Sequence, residues 1–131
     1  MEERTRQIEL THLGKVSNEP VYTLDLIPWN RGAITVRFDC EEFTSLCPVT
    51  GQPDFGQLLI QYVPARHLIE TKSLKLFLAG FRNARAFNEE IVVSLANEIF
   101  DQAQPVWVTV TGRFNARGGI SLTATAERGE K

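Results

Sequence analysis

A chain of 131 residues, 43% hydrophobic and 23% charged, suits one soluble domain with a modest core and leaves little room for a second. Its formal net charge of -2 excludes a chain-wide positive field for duplex nucleic acid or an anionic membrane, so any anion site must be local. Two cysteines, Cys40 and Cys47, are too few for a disulfide scaffold, and no His and Cys cluster has zinc spacing, so no metal is expected. No apolar run approaches the roughly 20 residues of a membrane span, and the opening Met-Glu-Glu-Arg-Thr-Arg does not resemble a signal peptide. The expectation is a cytoplasmic protein with reduced thiols.

Residues 1–32 mix Gly14, Pro20, Pro28 and Gly32 with short apolar pieces and read as an arm without regular structure. Ala33 to Asp39 alternates as a strand, as does Gln57 to Val63, which Pro64 closes. Between them, Glu41 to Gly56 reads as a loop, since Pro48, Gly51, Pro53 and Gly56 forbid a long helix, and loops positioned by strands are where chemistry concentrates. From Glu70 to Arg82, the residues Leu74, Phe77, Leu78 and Phe81 form one apolar helical stripe. Lys72, Lys75 and Arg82 share an arc of roughly 80° beside it, which supplies the local basic edge.

A second helix runs from Glu89 to Gln102 on Ile91, Leu95 and Ile99, and Pro105 stops it. Val106, Val108 and Val110 alternate with Trp107, Thr109 and Thr111, and Ile120, Leu122 and Ala124 with Ser121, Thr123 and Thr125, giving two more strands. Asn115 to Gly119 joins them as a hairpin turn, and Glu127 to Lys131 are expected to fray. The order β-β-α-α-β-β makes an α+β domain over residues 1–131, with a core at 33–126 and both helices on one sheet face. Two open sheet edges would then pair between subunits.

Taken alone, Cys47 is either a small apolar residue or a nucleophile, and Asp54, seven residues on, is either a turn-forming aspartate or a proton carrier. Lys72 and Lys75 are a solvated helix edge or an anion site, and Arg117 is a hairpin residue or part of that site. Glu89 is a first-turn glutamate favoured by the helix dipole or a ligand carboxylate, and Asn88 suits an N-cap.

The run Phe43-Thr44-Ser45-Leu46-Cys47-Pro48-Val49-Thr50-Gly51-Gln52-Pro53-Asp54-Phe55 resembles the cysteine loop of the 7-cyano-7-deazaguanine reductases of queuosine biosynthesis. Glu70-Thr71-Lys72-Ser73-Leu74-Lys75-Leu76-Phe77-Leu78 with Phe81-Arg82-Asn83 resembles the NADPH signature of the same family, and Phe87-Asn88-Glu89 and Arg117-Gly118-Gly119-Ile120-Ser121 match in the same order. The resemblance spans about Arg37 to Leu122 and departs from the family at Asn88, where histidine is usual, and at Thr71, where serine or leucine is expected.

It implies a tunnelling fold whose subunits join edge to edge into rings, two stacked pentamers in single-module members, with active sites between subunits. It implies Cys47 as the nucleophile that forms a thioimide with the nitrile and Asp54 as the proton carrier. Glu89, Phe87, Asn88, Glu70 and Thr71 would hold the 7-deazapurine, and Lys72, Ser73, Lys75 and Arg117 the NADPH. The product enters tRNA modification without the protein itself touching nucleic acid or membrane. Two rivals remain open: an amidine-forming relative that uses the same cysteine on the nitrile already in tRNA, and a non-catalytic purine- or pterin-binding ring protein.

Overall fold

The structure, a computed structural model, describes residues 23–131. Strand β1 (Leu26–Pro28) is followed by β2 (Val36–Leu46), β3 (Pro53–Val63) and β4 (His67–Ile69). Helix α1 (Thr71–Ala79) passes into a short 3-10 turn at Gly80–Asn83; α2 (Asn88–Ala103), β5 (Trp107–Arg117) and β6 (Ile120–Gly129) complete the chain. The sheet order is β2-β3-β5-β6, antiparallel throughout, so β2 and β6 are its edges. Strands β1 and β4 make a second, two-stranded sheet.

The core lies between one face of the four-stranded sheet and the helices. Leu58, Ile60 and Tyr62 of β3 and Val108 and Val110 of β5 point inward to meet Leu74 and Phe77 of α1 and Ile91, Leu95 and Ile99 of α2. Burying each such side chain contributes about 1.5–3 kcal/mol, which is what holds two short amphipathic helices on the sheet. Phe43, Phe77, Phe81 and Phe114 form a run of tilted and edge-on rings with centroids 5.8 to 6.4 Å apart. That run ties the end of α1 to the cysteine end of β2.

The helices and four long strands lie where the periodicity places them, but several boundaries move. The first helix stops at Ala79 as an α-helix, and Glu70 is its N-cap, accepting from the N-H groups of Lys72 (3.0 Å) and Ser73 (2.8 Å). The expected loop from Glu41 to Gly56 is mostly strand, leaving only a tight turn between Leu46 and Pro53. The reason is an irregularity between Cys40 and Phe43, where Glu41 and Glu42 are both exposed. Before it the inward positions are Val36, Phe38 and Cys40; after it they are Phe43 and Ser45, so the alternation changes phase and the strand is hidden from a period-two reading.

Residues 1–22, including His12, lie outside the described residues. The later part of the expected arm is built into the fold, since Leu24 is 1% exposed and β1 pairs with β4. At the other end, Glu127 to Gly129 do not fray: they pair with Thr109, Val108 and Trp107, and the Lys131 ammonium lies 4.9 Å over the Trp107 ring.

Tyr62 joins the two sheets, because its buried hydroxyl accepts the Ile69 N-H at 2.8 Å. A Tyr62→Phe substitution leaves that N-H without its partner and should cost about 1–3 kcal/mol, read from a urea midpoint shift at constant slope. An unchanged midpoint would mean that the bond contributes nothing.

Candidate active site

The β2–β3 hairpin turn is closed by its own backbone. Cys47 N-H donates to the Gln52 carbonyl and Gly51 N-H to the Cys47 carbonyl, both at 2.8 Å, while Gln52 N-H donates to Thr50 Oγ1 at 3.1 Å. Gly51 has φ +73°, and a side chain there would run into the Arg85 guanidinium, so glycine is required twice over. The turn holds the half-buried Cys47 thiol against its own far side.

There the Thr50 hydroxyl, followed by the backbone groups of Thr50 and Val49, holds the Cys47 thiol below the usual thiol range; burial and the negative charge of Asp54 work against this and do not prevail. The Thr50 oxygen accepts from Gln52, leaving its proton free to donate to a thiolate. Cys40 behaves oppositely: burial first, then Asp39, push it up to about 11. The two thiols are thus separable in solution. Iodoacetamide should alkylate Cys47 at neutral pH and spare Cys40, and Thr50→Val should move the Cys47 titration upward and slow alkylation at pH 7 about three- to tenfold. A Thr50→Val rate equal to that of the parent protein would sink this account.

Asp54 lies on β3 opposite Ser45 of β2, and it is 9% exposed. Its Oδ1 accepts from Arg117 Nη1, and Arg117 Nη2 donates to Gln52 Oε1 at 2.7 Å. Arg117 therefore clamps the base of the cysteine hairpin from the end of β5, where Gly118 and Gly119, both at positive φ, make the tight turn into β6. It is not beside Lys72 and Lys75, which lie on α1.

A feature with no sequence signal completes this end of the molecule. Residues 84–86 run parallel to the end of β2, with Leu46 N-H donating to the Ala84 carbonyl (2.9 Å) and Ala86 N-H to the Leu46 carbonyl (3.2 Å). This carries Phe87, Asn88 and Glu89 alongside the cysteine turn. Phe87 is 54% exposed and occupies the N-cap position of α2, its N-H donating to Glu90 Oε1 at 2.9 Å. Asn88 is therefore not the cap: it is the first helical residue, and its side-chain oxygen is buried without a hydrogen-bond partner among the described residues. Glu89 is exposed in the first turn of α2.

The other predicted residues lie along α1. A cleft of about 360 Å³ between α1 and β2 is lined by Thr71, Lys75 and Arg82 on one side and Asp39, Cys40 and Thr44 on the other. Among the described residues, none of Lys72, Lys75 and Arg82 forms an ion pair, so these exposed cations suit the phosphates of a dinucleotide. Ser73 faces the other way: its buried hydroxyl donates to the Glu70 carbonyl and accepts from Asp25 N-H, so it orients the helix start instead of facing the cleft. Glu70 and Thr71 are separated from Ala84, at the cysteine end, by α1 and the 3-10 turn, about 20 Å at roughly 1.5 Å per residue. Within one chain, then, Cys47, Asp54, Arg117 and Phe87 to Glu89 come together, and Glu70 and Thr71 do not join them. His67 lies in β4, paired with Pro28 of β1. No group of His, Cys, Asp and Glu among the described residues is arranged to hold a metal ion, and no helix among them is long and apolar enough to cross a membrane.

Known proteins resemble this chain over most of its length. The chain is 47% identical over 120 residues to the NADPH-dependent 7-cyano-7-deazaguanine reductase of Chelativorans sp. (strain BNC1), a match covering 86% of this chain and 78% of that protein. It is 46% identical over 121 residues to the protein of that name from Zymomonas mobilis, covering 88% and 82%. For the Brucella anthropi protein of that name the identity is 41% over 135 residues, covering 98% and 87%. Among solved structures, the apo form of the archaeosine synthase QueF-Like superposes with a TM-score of 0.67 at 19% identity, over 79% of this chain and 99% of that one, which establishes the tunnelling fold. A family profile described as QueF-like protein matches residues 53–131, and with relatives this similar over this much of its length the chain belongs to the QueF-like family.

Proposed function

We propose that this chain reduces the nitrile of 7-cyano-7-deazaguanine to an aminomethyl group with NADPH, through a covalent thioimide on Cys47, as a step of queuosine biosynthesis. The observation that carries the mechanism is the pairing, at one hairpin, of a thiol held low by Thr50 with the buried Asp54 carboxyl.

A nitrile carbon accepts hydride poorly, and addition of sulfur makes it a better acceptor. Cys47 Sγ attacks the nitrile carbon, forming the C-S bond, while one C-N π bond becomes a lone pair on nitrogen. Asp54 takes the proton that the Cys47 thiol loses, passes it to that nitrogen, and is left as a carboxylate beside Arg117. NADPH, when bound, supplies hydride, and Lys75 and Arg82, which line the α1 cleft, with Lys72 exposed on the same helix, are the cations that would hold its phosphates. After the first reduction the C-S bond breaks and Cys47 leaves as a thiolate; the resulting imine is reduced to the amine. Phe87 offers an exposed ring face for the 7-deazapurine, and the Glu89 carboxylate can accept from its ring N-H and exocyclic amine. Asn88 can exchange hydrogen bonds with the reacting nitrogen but not a proton near neutral pH.

The site is completed by a neighbouring subunit. The support for this is the separation of Glu70 and Thr71 from Cys47, together with the edges of β2 and β6, which among the described residues pair with no further strand apart from the bridge at Leu46 and through which copies can join into rings, two of them stacked as pentamers. The protein acts on the free base in the cytoplasm and needs no direct contact with tRNA. The unpaired cations of α1 favour the reductase over an amidine-forming reaction, which has no use for a dinucleotide.

The test is NADPH oxidation with 7-cyano-7-deazaguanine, together with intact mass of the protein in nitrile alone. Consumption of about two NADPH per nitrile is expected, since the conversion takes four electrons. An adduct that forms without NADPH consumption would move the assignment to amidine formation.

A further inference from the structure

Ser45 is buried to 0% exposure, and its hydroxyl has no hydrogen-bond partner among the described residues. Buried hydroxyls are partnered in the great majority of structures, because an orphan loses its hydration with nothing in return. The strand irregularity after Cys40 turns this residue inward, two positions before Cys47. Its register partner across the hairpin is Asp54, also inward, whose carboxyl in this structure is engaged by Arg117. Directly opposed residues of antiparallel strands have Cβ atoms about 4.5–5.5 Å apart, so rotation of the Asp54 side chain brings its carboxyl within hydrogen-bonding reach of Ser45 Oγ. Phe43, the next inward residue on β2, offers no competing polar group.

We propose that Ser45 is a positioning residue for the proton transfer: its hydroxyl is an inner station for the Asp54 carboxyl, taken up when substrate fills the site. At the outer station Arg117 and Gln52 hold the hairpin closed. At the inner station Ser45 Oγ-H donates to one carboxyl oxygen and leaves the other free to face the nitrogen of the Cys47-bound substrate. Ser45 forms no covalent bond and keeps its own proton. The inference rests on Asp54 being the proton carrier.

The experiment is a double-mutant cycle on the full chain with Ser45→Ala, Asp54→Asn and the pair. Ser45→Ala should melt at the parent temperature or above it, since it removes an unpaired hydroxyl from the core. Its kcat should fall about tenfold or more with KM little changed, because a misdirected proton donor slows the chemistry and not the binding. In the Asp54→Asn background the same substitution should have no further effect, since residues acting as a unit are not additive. A Ser45→Ala enzyme with parental kcat, or effects that multiply in the double variant, would overturn the role of Ser45 while leaving the reductase assignment standing. A parent protein that neither forms the nitrile adduct nor consumes NADPH overturns both.

Discussion

Cys47→Ala forms no adduct with 7-cyano-7-deazaguanine and loses nitrile reduction by about 10³-fold or more, while its melting temperature stays within a few degrees of the parent. The fold is expected to survive because the turn is held by the backbone. The Cys47 N-H and carbonyl bond to Gln52 and Gly51 whatever the side chain, and the thiol sits half-buried outside the apolar core. Activity should not survive, because the remaining groups can bind and protonate a nitrile but cannot turn its carbon into a better hydride acceptor. Intact mass with nitrile and steady-state NADPH oxidation check the two halves separately. Reduction retained at more than a few per cent of the parent rate would remove the covalent route.

Asp54→Asn tests the other half of the chemistry. The amide keeps the shape and a hydrogen bond to Arg117 but carries no transferable proton, so kcat should fall about 10² to 10⁴-fold, with a smaller change in KM. The stability cost should be small, about 1 kcal/mol. Arg117 is 43% exposed, so its charge stays hydrated when the carboxylate is gone, and its bond to Gln52 remains. Single-turnover reduction and a thermal melt measure the two quantities. A variant that reduces nitrile at the parental rate would assign the proton to another group.

Much of the fold and half of the site are legible in the order of amino acids. The stripe of Leu74 and Phe77 and that of Ile91, Leu95 and Ile99 find the buried faces of α1 and α2, since a helix repeats every 3.6 residues whatever it packs on. Val108 and Val110 find the core face of β5 by the same logic at period two. The thirteen residues from Phe43 to Phe55 carry the family resemblance, and both Cys47 and Asp54 lie within them. Local patterns also mislead. The expected loop is strand because two consecutive exposed glutamates shift the phase of β2, and Ser45, without that shift, gives no sign of facing inward. Asn88 has the residue type of a cap and the position of a first helical residue, a difference set by the pairing of Ala84 and Ala86 with Leu46.

The sequence by itself determined the two helices with their buried faces, the core strands around them and the family resemblance that makes Cys47 the candidate nucleophile, because each depends on residues close together along the chain. Only the tertiary structure decided which distant groups meet. Arg117 is 63 residues from Asp54 and reaches it because β3 pairs with β5 in one register. Residues 84–86 join the edge of β2 because α1 and its 3-10 turn set them down there, and that docking brings Phe87 to Glu89 beside the cysteine while leaving Glu70 and Thr71 apart from it. Register and docking follow from burying a shared core, a property of the whole chain that no local window contains.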